Sequence, residues 1–376
     1  MNAHSTASCP RWPGALALLG CLGLVQCGRS VGGTVEASSA VYVRTDSNAT
    51  RIVSPRFTAA GVVGERLAID AAYTIDAWTG ASVDVVTAAT PAIRETRHEL
   101  TTGLGYLGDR VSVAGSYRGS IEPDYRSHGG VLRSALSLAD DNTTLALTVF
   151  GGHDRVGRAG DPFFARPQWN LGARFTLTQV LGKRTIGELG WETTRIEGFQ
   201  ASPYRWVAIG GDGTCAGAAP WCVPESAPNE RLRHAATIRA RQALGRRVSL
   251  GGEYRLYFDS WGVWSHALEP DLAWLVGDDD TLSLRYRYYT QSEARFYQPR
   301  YFELDDADYV TRDRKLSALY THELGAAYLH VFRVPARGLT ISAGVRVTGT
   351  YLRYLAFVGL ERVGALATTA LLGVKF

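Results

Sequence analysis

The sequence predicts an all-β protein, a closed antiparallel β-barrel of about sixteen strands, and three observations support this prediction. Apolar and polar residues alternate with a period of two over segments of about ten residues. Turn residues bound these segments, and short links alternate with longer ones along the chain. Composition agrees, because 41 Gly and 10% aromatic residues accompany a single Met and three Lys, unlike the composition of a helix-rich enzyme.

The N-terminal residues have the pattern of a secretory signal peptide. The apolar run Ala15–Val25 follows a polar start and precedes a short polar stretch. The spacing of small residues predicts a cut before Gly28, which would remove residues 1–27, and a second cut after Ala37 stays open as an alternative. Residues 28–376 are then expected to form one barrel domain.

Two cysteines lie outside this predicted signal, Cys215 and Cys222. In an oxidising compartment they are expected to form a disulfide that closes their own loop. Closing so short a loop contributes about 2–3 kcal/mol at most, so the bond should shape the loop and leave the fold unaffected. A redox or metal site is the alternative, and the absence of a Cys-x-x-Cys spacing and of nearby His in the sequence argues against it.

The alternation is clearest over Thr281–Thr290, where Leu282 and Leu284 would point one way and Arg285 and Arg287 the other. Sixteen segments of this kind are expected to be strands. They begin near Val35, Arg51, Arg66, Ile93, Arg110, Asp124, Thr143, Asn170, Arg184, Arg231, Arg246, Val263, Asp280, Lys315, Gly338 and Val363.

The links between these segments predict how the barrel is connected. Seven links are short turns, at 64–65, 107–109, 140–142, 181–183, 244–245, 277–279 and 335–337. The others are expected to be longer, at 46–50, 79–92, 121–123, 155–169, 197–230, 260–262, 293–314 and 353–362. Outer-membrane barrels have tight turns at one rim and longer loops at the other. A soluble sandwich, propeller or solenoid also alternates, but it does not predict this rhythm with an even strand count.

The two faces of the predicted strands differ in charge. The apolar face suits lipid, where an Arg near the midplane costs about 2–4 kcal/mol, and the polar face suits a water-filled lumen. The residues expected to face the lumen include Arg118, Arg174, Arg239, Glu253, Arg255, Arg285, Arg287 and Arg346. Rings of charge set selectivity in porins, so an Arg-rich lumen would favour anions, whereas interspersed Glu and Asp would give an ion-paired wall.

Aromatic residues are placed as two interfacial girdles would require. Trp78, Trp169, Trp261 and Trp264 flank longer links, and Trp274 flanks a short one. The chain ends at Phe376, which shares the apolar face with Leu372 and Val374. A terminal aromatic residue on a closing strand resembles the assembly signal of bacterial outer-membrane barrels.

Four stretches together resemble a known family. They are Thr79–Pro91 (TGASVDVVTAATP), Tyr286–Tyr297 (YRYYTQSEARFY), Asp313–Ser317 (DRKLS) and the closing strand. The chain resembles an uncharacterised bacterial outer-membrane family known as domain of unknown function 3570. The resemblance implies an outer-membrane barrel of a Gram-negative bacterium over most of the mature chain, and it implies no substrate, cofactor or catalytic residue.

No catalytic motif is present in the sequence, so no enzyme and no catalytic, cofactor-binding or metal-binding residue is expected. His98–Glu99 and His322–Glu323 could be considered as acid–base pairs, but adjacent strand residues point to opposite faces. The acidic segment Glu303–Asp308 could bind calcium at the longer-loop rim, although a solvated acidic loop is the commoner reading.

The predicted function is a porin-like channel that passes or takes up small hydrophilic solutes. The alternative is a non-conducting barrel that holds a periplasmic or surface partner. Expected partners are outer-membrane lipid and lipopolysaccharide, and the barrel assembly machinery during insertion. Many sixteen-stranded porins are trimers, so a homo-oligomer is a further expectation by analogy. A net charge of +4 without runs of like charge gives no sign of nucleic-acid binding.

Overall fold

The computed structural model describes residues 34–80, 93–211, 215, 221–304 and 307–376. The strands are β1 Val35–Asp46, β2 Thr50–Val63, β3 Leu67–Gly80, β4 Ile93–Leu107, β5 Val111–Ile121, β6 Tyr125–Leu138, β7 Thr143–Arg158, β8 Asp161–Gly182, β9 Thr185–Gly198, β10 Trp206–Ile209, β11 Trp221–Pro224, β12 Glu230–Ala243, β13 Val248–Asp259, β14 Trp264–Val276, β15 Asp280–Gln291, β16 Leu319–Val334, β17 Leu339–Tyr354 and β18 Arg362–Lys375. Single 3₁₀ turns lie at Arg314–Leu316 and Pro335–Arg337.

Sixteen of these strands form one closed antiparallel barrel, as the sequence predicts. Each pairs with the next along the chain, except that β9 pairs with β12 because β10 and β11 form a separate hairpin between them. β1 pairs with β18 and closes the barrel, with Glu36 opposite Lys375. The ends meet in hydrogen bonds between Val35 and Phe376, of which Phe376 N–H to Val35 O is 2.9 Å. No helix among the described residues is long and apolar enough to cross a membrane.

One predicted long link is wrong. The chain was expected to form a loop over 155–169, but β7 continues to Arg158 and β8 begins at Asp161. The Asp161 carboxylate accepts hydrogen bonds from the backbone N–H groups of Phe163 and Phe164 at 3.1 and 3.2 Å, and it is paired with Arg158. Gly160 has φ 79, which a glycine adopts without strain. Local side-chain bonds therefore form a tight turn and let the hairpin continue past the expected end.

The two rims differ, but less regularly than predicted. At the rim that carries the chain ends, every connection is a short turn, at 64–66, 108–110, 139–142, 183–184, 244–247, 277–279 and 335–338. The opposite rim mixes lengths, at 47–49, 81–92, 122–124, 159–160, 199–229, 260–263, 292–318 and 355–361. Several of these connections are as short as those at the first rim, so only one rim has the uniform connection length that the sequence predicts. We call the two sides the turn rim and the loop rim.

Strand register assigns every barrel residue to one of two faces, because directly opposed residues share a face. Phe57 lies opposite Tyr73, which lies opposite Leu100, and all three are exposed on the outside. Outward-facing charged residues of the described strands lie only near strand ends. They are Arg51, Arg126, Arg155, Arg195, Glu197, Glu230, Arg353 and Arg362 towards the loop rim, and Asp280 at the turn rim. The middle of the outer face is thus free of charge, as lipid requires.

Candidate functional site

The inner wall of the barrel is ionised, and over one part of its circumference the charges are paired. We call the inner faces of β8, β9 and β12–β15 the paired arc. Arg239 donates to Glu188 on one side and Glu253 on the other, both at 2.9 Å. These residues lie directly opposite one another in the register, so the pairs bridge three adjacent strands.

The pairing continues along the same arc. Glu269 accepts from Arg285 at 2.5 Å and faces Arg287 at 3.4 Å. Arg241 donates to Asp271 at 2.6 Å. Further pairs on the inner face are Arg174–Glu192, Arg255–Glu192, Arg118–Glu99 and Arg97–Asp76. Pairs of opposite charge therefore line the paired arc, and two further pairs lie on β3–β5.

These luminal groups are in contact with solvent space. The side chains of Arg174, Arg239 and Arg285 are 47%, 51% and 43% exposed although they point into the barrel. A barrel interior filled by packed side chains would leave no such exposure. The described residues therefore leave a water-accessible lumen beside the paired arc.

The inner wall is different at β16, β17, β18 and β1. A recess of about 300 Å³ opens there towards the lumen. Its lining residues, which we call the recess residues, are Tyr42, Arg44, Glu323, Arg346, Thr348, Thr350, Ala365, Ala367 and Thr369. A larger cleft of about 640 Å³ reaches the outer face beside Tyr286, Leu324 and Leu366, where membrane lipid would cover it.

The eight residues expected in the lumen all lie on the inner face. Seven are in or next to the paired networks, and Arg346 lies in the recess. Arg44 and the carboxylates that complete the pairs, Glu192, Glu269 and Asp271, were not among the residues expected in the lumen. Each has the luminal parity of its strand, so the alternation alone contained the signal that would have found them.

The loop rim carries a second layer of structure. We call it the loop layer, and it consists of residues 199–211, 221–229, 292–304, 307–318 and 355–361. Two apolar clusters lie under and within it. One contains Trp261, Val263, Ala294, Tyr297, Leu316, Leu319, Tyr354, Phe357 and Val363, and the other contains Val207, Ile209, Tyr301 and Val310. Tyr301, Ile209 and Val207, which are almost completely buried, belong to this layer.

A buried polar network joins the parts of the loop layer. Glu225, 3% exposed, accepts from Arg205 at 2.9 Å, from Thr311 Oγ1 at 2.5 Å and from the Ser202 backbone N–H at 2.7 Å. Arg205 also faces Asp313 at 3.2 Å. Because a buried carboxylate needs several donors to offset its lost hydration, this network fixes how the segments pack.

The loop layer reaches across the mouth. Tyr204 donates to Asp124 in the β5–β6 link and accepts from Ala159 N–H at 2.5 Å in the β7–β8 turn. On the other side, Tyr297 donates to Ala356 O at 3.2 Å in the β17–β18 link. Burial, followed by the bond to Asp124, raises the pKa of Tyr204 to about 12. The layer thus connects opposite sides of the loop rim.

An acidic cluster lies below Tyr204. Carboxylate oxygens of Glu95, Glu122 and Asp124 come within 4.8 Å of one another, a spacing that a hard cation could bridge. Burial raises the pKa of Glu122; Arg97 opposes this shift, and Asp124 adds to it. The acidic segment Glu303–Asp308, for which the sequence favours a solvated loop over a calcium site, includes Asp305 and Asp306, which lie outside the described residues.

Cys215 and Cys222 form a disulfide, with Cα atoms 6.0 Å apart. Cys222 lies in β11, opposite Ala208 of β10. The bond joins Cys215 to one strand of the β10–β11 hairpin, and neither cysteine belongs to a barrel strand.

All histidines of the described chain face outwards. Four are hydrogen-bonded through Nδ1 to a tyrosine hydroxyl, in the pairs Tyr73–His98, Tyr117–His128, Tyr254–His266 and Tyr286–His322 at 2.6–2.8 Å. Glu99 and Glu323 lie on the inner face, so neither adjacent His–Glu pair shares a face. Acid–base chemistry by a luminal histidine therefore has no residue to perform it among those the structure describes.

The aromatic girdles differ from the prediction at two positions. Trp169, Trp264 and Trp274 are exposed on the outer face, as expected. Trp78 has the same parity as luminal Asp76, and Trp261 is buried under the loop layer, where its indole N–H donates to Glu230 O at 2.9 Å. Position next to a loop did not distinguish the lipid-facing tryptophans from these two.

A closed barrel with a charge-free outer band, an ionised lumen and short turns at one rim is an outer-membrane β-barrel. The sequence matches the family described as "Protein of unknown function (DUF3570)" over residues 165–373, and the chain belongs to that family. The match includes the stretches Tyr286–Tyr297 and Asp313–Ser317, whereas Thr79–Pro91 lies outside it. No curated protein matches the chain.

Solved structures of similar fold are outer-membrane proteins. One described as "Bacterial polysaccharide outer membrane secretin" is similar over 92% of this chain and 99% of its own, with a TM-score of 0.52 and 8% identity. The CymD monoaromatic hydrocarbon channel has a TM-score of 0.42 at 10% identity, over 92% of this chain and 88% of its own. The Pseudomonas putida toluene transporter TodX has a TM-score of 0.40 at 10% identity, over 92% and 89%. At these identities the likeness concerns the fold alone.

Proposed function

We propose that this protein resides in the outer membrane and passes small hydrophilic solutes through its lumen, with the turn rim in the periplasm and the loop rim outside. The observation that carries the proposal is the ionised inner wall, where the side chains of Arg174, Arg239 and Arg285 are about half exposed in a lumen that the described side chains do not fill. Polar lumens of this kind conduct solutes in water-filled barrels.

The loop layer would set the size limit. It spans the mouth from Asp124 to Ala356 and is held by its own apolar core, so a solute would pass beside it and not through it. Folded loops that constrict a barrel reduce conductance without closing the lumen below them.

Conductance of the refolded full chain in planar bilayers tests the proposal. We expect stable ohmic steps, and we expect larger steps after residues 297–309 are replaced by a flexible linker, because Tyr301 is the buried centre of one cluster. A heat-modifiable, folded barrel that gives no steps in either form would overturn the channel.

The same loop layer supports a second candidate. If its buried core seals the mouth, the barrel would serve as a non-conducting scaffold for a periplasmic or surface partner. The silent, folded outcome above would favour this function. An enzymatic role is not proposed, because the described histidines face outwards; hydrolysis that one His substitution abolishes would revive it.

Insertion is expected to use the barrel assembly machinery, which acts on closing strands. Phe376 ends β18 on the outer face and is 63% exposed. Phe376→Ala should lower the amount of assembled, heat-modifiable protein in cells while leaving refolding in detergent unchanged. Equal assembly of both forms would count against this role.

A further inference from the structure

We propose that the recess binds a small organic monoanion, a carboxylate in particular, as it passes through the lumen. This inference rests on the proposed function and names the class of solute that the channel would favour. The recess differs from the ion pairs of the paired arc in its floor of short side chains and in two arginines that have no ion pair with a described residue.

The floor of the recess is made by β18, which contributes the small residues Ala365, Ala367 and Thr369. Longer side chains stand on the strands to either side. Arg44 of β1 lies directly opposite Ala367, and Arg346 of β17 lies directly opposite Thr369. Two guanidinium groups therefore flank one strand of short side chains, and the space between them is the recess.

Both arginines lack the partners that arginines of the paired arc have. Neither Arg44 nor Arg346 forms an ion pair with any residue that the structure describes, although each is half-buried in the wall. A partly desolvated guanidinium is stabilised by an oxyanion that accepts two of its N–H groups, a geometry that carboxylates match. A carboxylate ligand would therefore supply the acceptors that Arg44 and Arg346 lack.

The other recess residues complete the site. Thr348, Thr350, Thr369 and Tyr42 supply hydroxyl groups along its sides. Glu323 adds one negative charge against the two positive charges of Arg44 and Arg346, which leaves a net charge of +1. That balance favours a monoanion over a dianion, and a volume of about 300 Å³ suits a solute of a few carbon atoms.

Acetate is the probe that tests this inference. In planar bilayers we expect it to reduce chloride current in a saturable way, and we expect Arg44→Gln/Arg346→Gln to weaken this inhibition at least tenfold, because two charged hydrogen-bond donors are lost. Arg174→Gln/Arg239→Gln removes the same net charge from the paired arc and should leave acetate inhibition in place. Heat-modifiability of each variant reports that it is folded.

A second measurement separates the recess from the channel. Saturation-transfer NMR on the detergent-folded full chain detects acetate binding without conduction. An acetate signal that depends on Arg44 and Arg346 in a silent barrel would overturn the channel and support the recess. A conducting barrel that acetate neither inhibits nor contacts would overturn the recess and keep the channel. Loss of both signals would overturn both.

A different observation concerns the outer face at the loop rim. Arg126 of β6 lies directly opposite Arg155 of β7, and the next outward pair is His128 opposite His153. Like charges in directly opposed positions destabilise a sheet unless something neutralises them. Neither Arg126 nor Arg155 is ion-paired with a described residue, and both are exposed.

The depth of this patch indicates what covers it. The His153 ring packs against Trp169 at an angle, with ring centroids 4.1 Å apart, and Trp169 belongs to the outward aromatic girdle. Aromatic girdles lie at the level of lipid headgroups, and Arg126 and Arg155 are one step nearer the loop rim. We infer that a lipid phosphate of the outer leaflet bridges the two guanidinium groups.

Native mass spectrometry of the full chain with purified lipid A tests the patch. We expect lipid adducts that Arg126→Gln/Arg155→Gln reduces several-fold. Arg195→Gln, which alters an outward arginine already paired with Glu197 and Glu230, should retain them. Equal adducts in all forms, or adducts that dephosphorylated lipid A gives equally well, would overturn the inference. Binding of inorganic phosphate without lipid adducts would likewise overturn it in favour of a free-anion site.

Discussion

Arginines on two parts of the same inner wall have different surroundings. In the paired arc, Arg239 lies opposite carboxylates on both neighbouring strands, whereas in the recess Arg346 lies opposite Thr369 and Arg44 lies opposite Ala367. The paired groups offset much of one another's charge, and their partly exposed side chains remain in contact with water. The unpaired groups keep their charge available to a solute. Partner placement therefore decides more about selectivity than the number of luminal arginines does.

The largest effect is expected from loosening the loop layer, which covers both the paired arc and the recess. Glu225→Ala removes the buried acceptor of Arg205 and Thr311, and losing one partner of a buried ion pair costs about 3–5 kcal/mol. Hydrogen exchange should show faster opening of 292–318 with the barrel strands unchanged. Glu230→Ala, an exposed carboxylate, is the control. If Glu225→Ala also changes the ion selectivity, then the inner wall of the barrel is not what sets that selectivity.

A smaller effect is expected inside the paired arc, where a glycine makes room for an ion pair. A Cβ at position 251 would overlap Asp271 Oδ1 and Arg241 Nη2, whereas one at Gly252 would meet nothing within 4 Å. Gly251→Ala should lower the free energy of unfolding by about 1 kcal/mol or less, because the overlapping atoms are the ends of flexible side chains in a partly exposed ion pair. Urea unfolding in detergent compares it with Gly252→Ala, and equal stabilities would show that the pair adjusts freely.

The recess can be converted into a paired wall. Thr369→Glu places a carboxylate directly opposite Arg346, in the register that Glu188 has opposite Arg239. We expect acetate inhibition to fall about tenfold, since the new pair competes with the solute. Thr369→Gln has a similar size without the charge and should retain inhibition. Loss with both variants would point to steric blockage.

The converse change removes a positive charge from the ion pairs of the paired arc. Arg239→Gln leaves Glu188 and Glu253 without their shared cation, so the reversal potential in a KCl gradient should shift towards cation preference. Stability should change by less than about 1 kcal/mol, because these pairs are half exposed to water. An unchanged reversal potential would mean that this arc lies away from the ion path.

The smallest effect is a change in thermal stability at the mouth of the barrel, above both the paired arc and the recess. Burial raises the pKa of Glu122, so its charged form is disfavoured in the folded state. The resulting penalty is present above that raised pKa and is lost as pH falls towards the ordinary value. Glu122→Gln should therefore raise Tm slightly near about pH 8 and leave it unchanged in acid. A benefit that persists in acid would exclude this titration as the cause.

Several features could be predicted because they are local. The even strand number, the two faces and the luminal parity of all eight candidate residues follow from alternation within each strand. The errors fall where distant contacts decide. Asp161 turned the expected 155–169 loop into a tight turn, and the loop layer buried Trp261. Neither outcome is visible in a pattern of period two.

The sequence by itself determined which side chains face water and which face lipid, because neighbouring strand residues must point to opposite sides. Only the tertiary structure decided which charges meet. Arg239 reaches Glu188 across 51 residues of chain, and Arg44 lies beside β18 only because the barrel closes its first strand on its last. Strand register aligns residues that are far apart in sequence, so it separates a paired wall from a recess although both contain the same kind of residue.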